Sequence, residues 1–102
     1  VRLAARTGCE YGASIIKTTF AGTPEEFKQV VDASYRPVVV LGGEAARDLT
    51  GLFTVIEQAI AVGAKGVAIG RNVWNHKDPE AVTRALVALV HGNAKAADIR
   101  GL

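Results

Sequence analysis

Lys17 is the residue in this sequence best suited to covalent chemistry. It stands between Ile16 and Thr18, near the C-terminal end of an apolar run over residues 13–19 that reads as a strand. By strand alternation its side chain shares a face with Ala13, Ile15 and Thr19. On an enclosed face of that kind a lysine loses water, desolvation disfavours the ammonium, and the neutral amine can attack a carbonyl to form a Schiff base. The same position also suits a lysine that reaches past the strand end to solvent. Two glycine-bearing turns form the second chemical feature. Leu41-Gly42-Gly43 ends one apolar run and Gly70-Arg71-Asn72 ends another. Glycine lets backbone N–H groups approach an anion closely, and an arginine beside it adds a charged, two-pronged contact. These turns suit a phosphate, with plain turn glycines as the alternative.

Other reactive residues lack partners. His76 and His91 have no acidic or cysteine neighbours at ligand spacing, so no metal is expected. The one cysteine, Cys9, excludes an intrachain disulfide and fits a reducing compartment; it is expected in a loop before the first strand, together with Tyr11. Trp74 is expected to pack at the start of the last helix pair.

The elements that must position these residues follow from patterning. Runs at residues 13–19, 37–41 and 66–70 read as buried parallel strands. Each precedes a helix with start signals. Thr23-Pro24-Glu25-Glu26 is a capping box with proline in the first turn, Asp48 is placed to cap a second helix ending at Gly63, and Asp78-Pro79-Glu80 opens a third ending at Gly92. Residues 1–6 read as the end of an earlier helix, and residues 93–102 as a polar tail of uncertain order. Three parallel strands alone leave open edges and an uncovered face. The expectation is therefore an α/β chain forming the C-terminal portion of a (β/α)₈ TIM barrel, with residues 1–102 supplying about strands six to eight of a single domain.

Composition narrows the function classes. Apolar residues at 49% and charged residues at 22% indicate a globular chain and argue against disorder. A formal charge of +2, from scattered residues, gives no nucleic-acid or membrane-surface footprint. The longest apolar run, residues 37–43, is far short of the roughly 20 residues a membrane span needs.

The blocks Ile15-Ile16-Lys17-Thr18, Leu41-Gly42-Gly43 and Gly66-Val67-Ala68-Ile69-Gly70-Arg71-Asn72-Val73-Trp74 resemble the archaeal-type class I fructose-bisphosphate aldolases and related Schiff-base aldolases. The resemblance runs from Val1 to about Gly92, and the Gly-Arg-Asn-Val-Trp string is its most specific part. It implies a TIM barrel, no cofactor, a phosphorylated sugar as substrate, a homo-oligomer, a cytoplasmic location and a place in glycolysis or gluconeogenesis. It puts the Schiff base on Lys17 and the substrate phosphate on Gly42, Gly43, Gly70 and Arg71. The family's acid/base tyrosine and aspartate lie on earlier strands, so they are expected from a missing N-terminal barrel portion. Two departures stand out: Leu41 replaces a small residue before the glycine pair, and Glu44-Ala45 replaces Pro-Lys after it. Two alternatives stay open. One is a sister aldolase or transaldolase-like enzyme on another sugar phosphate. The other is a non-catalytic phosphate-binding partial barrel, and the isolated chain is expected to be nearly inactive in either case.

Overall fold

A computed structural model describes residues 1–20, 22–43 and 48–102. The elements are α1 (Arg2–Glu10), β1 (Ile16–Thr18), α2 (Pro24–Ala33), β2 (Val38–Leu41), α3 (Thr50–Ala61), β3 (Gly66–Ala68), α4 (Arg71–Trp74) and α5 (Pro79–His91), followed by a 3₁₀ turn at Ala96–Asp98. Among the described residues the strands form one parallel sheet in the order β1-β2-β3. Sequential order of this kind follows when each crossover returns to the same side, whereas a doubly wound sheet reverses its order.

The register sorts the two faces. Ile16 lies beside Val38, and Val40 lies between Thr18 and Val67. Ile16, Val38 and Val40 are buried beneath α1, α2 and the end of α3, with Phe27, Val30, Ala5 and Cys9. A second cluster joins Leu49, Phe53 and Ile56 to Val82, Leu86 and Leu89 of α5, and Val67 and Ile69 pack against it. Helix α3 links the clusters, with Ala59 in the first and Phe53 and Ile56 in the second. The opposite face carries Lys17, Val39 and Gly66 in one row and Leu41 and Ala68 in the next. That face is open: Ile15 and Lys17 are exposed, and Val39, Leu41 and Ala68 are half-buried. No helix among the described residues is long and apolar enough to cross a membrane.

The helix starts largely follow the sequence signals. Thr23 Oγ1 accepts from the Glu26 N–H at 3.2 Å and the Glu26 carboxylate accepts from the Thr23 N–H, closing the capping box. Asp78 accepts from the Ala81 N–H at 3.1 Å. Thr23→Ala is expected to lower the unfolding free energy of the intact protein by about 1 kcal/mol, read from urea denaturation. Gly63 has φ of +115° and closes α3 as expected. Asp48 acts one residue early: Leu49, fully buried, occupies the cap position, and the Asp48 carboxylate accepts from the Thr50 N–H at 2.7 Å. The hydrogen bonds from Thr50 hold the Asp48 carboxyl below its usual range. Helix α5 ends at Gly92 as expected, and the left-handed residue is Asn93, with φ of 57°.

The structure departs from expectation at α1, in the tail and in the strand lengths. Helix α1 continues through Glu10, so Cys9 is helical and buried, with Sγ 3.1 Å from the Ser34 hydroxyl. Thr7-Gly8 is weak helix sequence, but Ala5 and Cys9, four apart, share the face that packs on the core. Gly8 lets that face approach β1, since a Cβ there would lie 2.9 Å from Ile16 Cδ1. The tail is docked: Ala96 is buried, Ile99 and Leu102 pack on the second cluster, and the Ala96 N–H donates to Glu57 at 2.6 Å. Trp74 packs over Gly70 at the start of α4, as expected, and stays 67% exposed outside the core. The strands are also shorter than the apolar runs.

Candidate functional site

The C-terminal ends of the three strands open onto a cavity of about 360 Å³, and every residue singled out by the sequence lines it: Lys17, Gly42, Gly43, Gly70 and Arg71. The register explains this meeting. Lys17 stands one row below Leu41 and Ala68 on the open face, so its long side chain extends past them toward the strand ends. Gly66 and Ala68 contribute little bulk on β3 and leave that path clear. The two glycine turns follow directly on β2 and β3, adjacent in the sheet, and therefore face each other across the cavity mouth.

The local chemistry favours an anion. Lys17 and Arg71 are exposed cations, and among the described residues neither is in an ion pair; the pairs there are Arg6–Glu10, Lys28–Asp32 and Arg84–Glu80. No carboxylate is among the described lining residues. Glu44 and Ala45, where the sequence departs from the expected pattern, lie outside the described residues. The other departure is placed: the Leu41 side chain sits in the wall and offers no hydroxyl. The exposure of Lys17 matches the solvent-reaching alternative within these residues. Its convergence with Arg71 and the glycine turns sets it apart from an ordinary surface lysine.

The turns are held by contacts that the sequence reading missed. A Cβ at Gly42 would lie 2.8 Å from Ile69 Cγ2, so only glycine lets the two turns approach this closely. Gly42→Ala is expected to cost about 1–3 kcal/mol, because Ile69 is packed against the second core cluster and cannot step aside freely. A lowered urea midpoint checks it. Gly43 has φ of +70°, and no described atom lies within 4 Å of where a Cβ would stand, so among the described residues it is the backbone conformation that favours glycine there. Gly70 is overlaid by the Trp74 ring, which a Cβ would meet at 2.5 Å. Trp74 is thus a wall of the cavity.

Asn72 is the buried polar residue of the described core, 4% exposed. Its Nδ2 donates to the Gly42 carbonyl at 3.1 Å, across thirty residues of sequence. The sequence places Asn72 inside the Gly-Arg-Asn string, but a polar residue after a turn carries no signal of so distant a partner.

No tyrosine, histidine or acidic side chain lines the cavity among the described residues, so proton transfer has no donor or acceptor other than Lys17 there. Tyr11 lies before β1, at the opposite end of the sheet. Among the described residues no three of His, Cys, Asp and Glu gather as a metal site would require. His76 Nδ1 accepts instead from the Asp78 N–H at 2.9 Å. A separate apolar groove of about 200 Å³ beside Lys65, Val90 and His91 shows no comparable convergence of charged and backbone donors.

Comparison with known proteins adds four findings. Residues 1–76 match the DeoC/LacD family aldolases. A 2-amino-3,7-dideoxy-D-threo-hept-6-ulosonate synthase of Halobacterium salinarum is 44% identical over 91 residues, which cover 89% of this chain and 34% of that protein. An archaeal fructose 1,6-bisphosphate aldolase superposes with a TM-score of 0.84 at 36% identity, over 90% of this chain and 37% of its own. An archaeal fructose-1,6-bisphosphate aldolase structure with its catalytic lysine bound to the carbinolamine intermediate gives 0.83 at 34% identity, over 88% and 36%. The chain thus spans about a third of the length of the proteins it matches.

Proposed function

The chain belongs to the DeoC/LacD family of aldolases, and from that premise we propose that it forms part of a cytoplasmic Schiff-base aldolase that cleaves a phosphorylated ketose, fructose 1,6-bisphosphate. The observation that carries this reading is the convergence of one lysine, two glycine turns and one arginine in a single cavity at the C-terminal strand ends. The Lys17 amine adds to the ketose carbonyl, and loss of water leaves an iminium. The substrate β-hydroxyl gives up its proton and the bond between its α and β carbons breaks. The electron pair flows into the iminium, and an aldehyde departs. The enamine left behind takes a proton on carbon, and water releases dihydroxyacetone phosphate and the free lysine. Gly42, Gly43, Gly70 and Arg71 hold the phosphate and thereby fix the carbonyl against Lys17. The proton carrier comes from outside the described cavity lining.

The same reading makes residues 1–102 three β/α units of one barrel domain, about strands six to eight. The apolar open face and the outer edges of β1 and β3 support it, since a closed barrel covers both. The barrel protein assembles as a homo-oligomer.

A second reading has support in the identity values. The 44% shared with a protein named as an aminodideoxyheptulosonate synthase exceeds the 36% shared with the superposed fructose 1,6-bisphosphate aldolase. Turnover of the intact protein on a panel of phosphorylated ketoses and aldehydes separates the two. Release of dihydroxyacetone phosphate from fructose 1,6-bisphosphate is expected. Formation of 2-amino-3,7-dideoxy-D-threo-hept-6-ulosonate without that release favours the second reading, and neither product contradicts both.

A further inference from the structure

We infer that Asn72 is a positioning residue that aims the Gly43 N–H into the phosphate site. The inference rests on the phosphate reading of the glycine turns given above. Asn72 is 4% exposed and donates from Nδ2 to the Gly42 carbonyl at 3.1 Å. The described backbone contains no cis peptide, so the Gly42 carbonyl and the Gly43 N–H point in opposite directions across one planar unit. Holding the carbonyl therefore holds the N–H.

The side from which Asn72 reaches decides where that N–H points. Gly42 and Gly43 divide two cavities. One is the Lys17 cavity; the other, of about 320 Å³, is lined by Phe20, Leu52 and Val55. Asn72 lines the second and not the first. A carbonyl turned toward Asn72 leaves the Gly43 N–H turned toward Lys17 and Arg71. Gly43, at φ +70° and with no described atom within 4 Å of where a Cβ would stand, has no side-chain packing of its own to set this orientation. Asn72 is also the residue after Arg71, in α4, so one short helix fixes both the arginine and the neighbouring turn. Ile69 packed over Gly42 brings the two turns close enough for the bond to form.

The test uses the intact protein with Asn72→Ala and Asn72→Asp. The first removes the donor. The second keeps the shape but sets a carboxylate against the Gly42 carbonyl. Affinity for inorganic phosphate, for dihydroxyacetone phosphate and for dihydroxyacetone is measured below the melting transition of each variant. Asn72→Ala is expected to weaken both phosphate ligands on the order of tenfold and Asn72→Asp to weaken them more, with dihydroxyacetone unchanged. Equal loss for all three ligands means a merely structural role and overturns the inference. So does unchanged phosphate affinity in both variants, when the unaltered protein binds phosphate. If the unaltered protein does not bind phosphate, the reading of the glycine turns falls first, and this inference falls with it.

Discussion

Replacing Lys17 with methionine is expected to lower turnover of the intact protein by about four orders of magnitude or more, the scale seen when a covalent nucleophile is removed. Methionine keeps an unbranched apolar stem and removes only the amine. The substitution therefore leaves the row of Lys17, Val39 and Gly66 intact. Lys17→Arg is the sharper companion. Arginine keeps the positive charge near Arg71 but stays protonated and cannot condense with a carbonyl. If Lys17 served only to attract an anion, Lys17→Arg would retain most of the activity. If it is the nucleophile, both variants are equally inactive while phosphate affinity changes little in Lys17→Arg. Circular dichroism and melting of each variant separate loss of chemistry from loss of fold.

Arg71→Ala carries the second large effect. Arg71 is exposed at the cavity rim, beside Gly70 and opposite the Gly42-Gly43 turn. A guanidinium gives a phosphate two parallel charge-assisted hydrogen bonds, and each such bond to a charged group contributes about 1.5–3 kcal/mol. Its removal is expected to lower kcat/KM for a phosphorylated ketose about tenfold to a hundredfold, the corresponding range for one such bond. The loss falls mainly on KM, because the phosphate is held equally before and during bond cleavage. An unphosphorylated analogue is expected to react equally well with both proteins. Arg71→Lys recovers the charge but not the fork, so it restores only part of the affinity. A uniform loss across phosphorylated and unphosphorylated substrates would place Arg71 elsewhere in the reaction.

The strands were legible because Val38, Val39, Val40 and the Gly66-Val67-Ala68 segment are short apolar runs bounded by turn residues. Helices α2 and α5 were legible because Thr23 and Asp78 hydrogen-bond within four residues, a distance the sequence itself displays. Features that depend on distant partners were not. Nothing near Cys9 says that it will pack under β1, and the pull of that packing carries α1 past Thr7-Gly8. The first strand shrinks from residues 13–19 to Ile16–Thr18 because its length is set by pairing with β2, not by its own apolar content. The docking of Ile99 and Leu102 is likewise decided by a groove that α3 and α5 create together.

The candidate site divides in the same way. Residue types and their order along the chain marked Lys17, Gly42, Gly43, Gly70 and Arg71. Their meeting in one cavity needed the sheet register, which puts Lys17 one row beneath the two turns. The Asn72–Gly42 bond and the Ile69–Gly42 contact were invisible in the sequence, since each joins residues well apart in the chain. Trp74 packs at the start of the last helix pair, as expected, but the sequence did not show that it would do so outside the core. Here the glycine at position 70 gives its ring a seat at the cavity rim.

The most direct measurement is reductive trapping. The intact protein is treated with sodium borohydride in the presence of dihydroxyacetone phosphate, and the modified peptide is mapped. Reduction of an iminium fixes the ligand as a secondary amine on the lysine that formed it. The expected result is a single adduct on Lys17, with activity lost in parallel and no adduct in Lys17→Met. No adduct, or an adduct on another lysine, would contradict the assignment of Lys17 as the Schiff-base nucleophile.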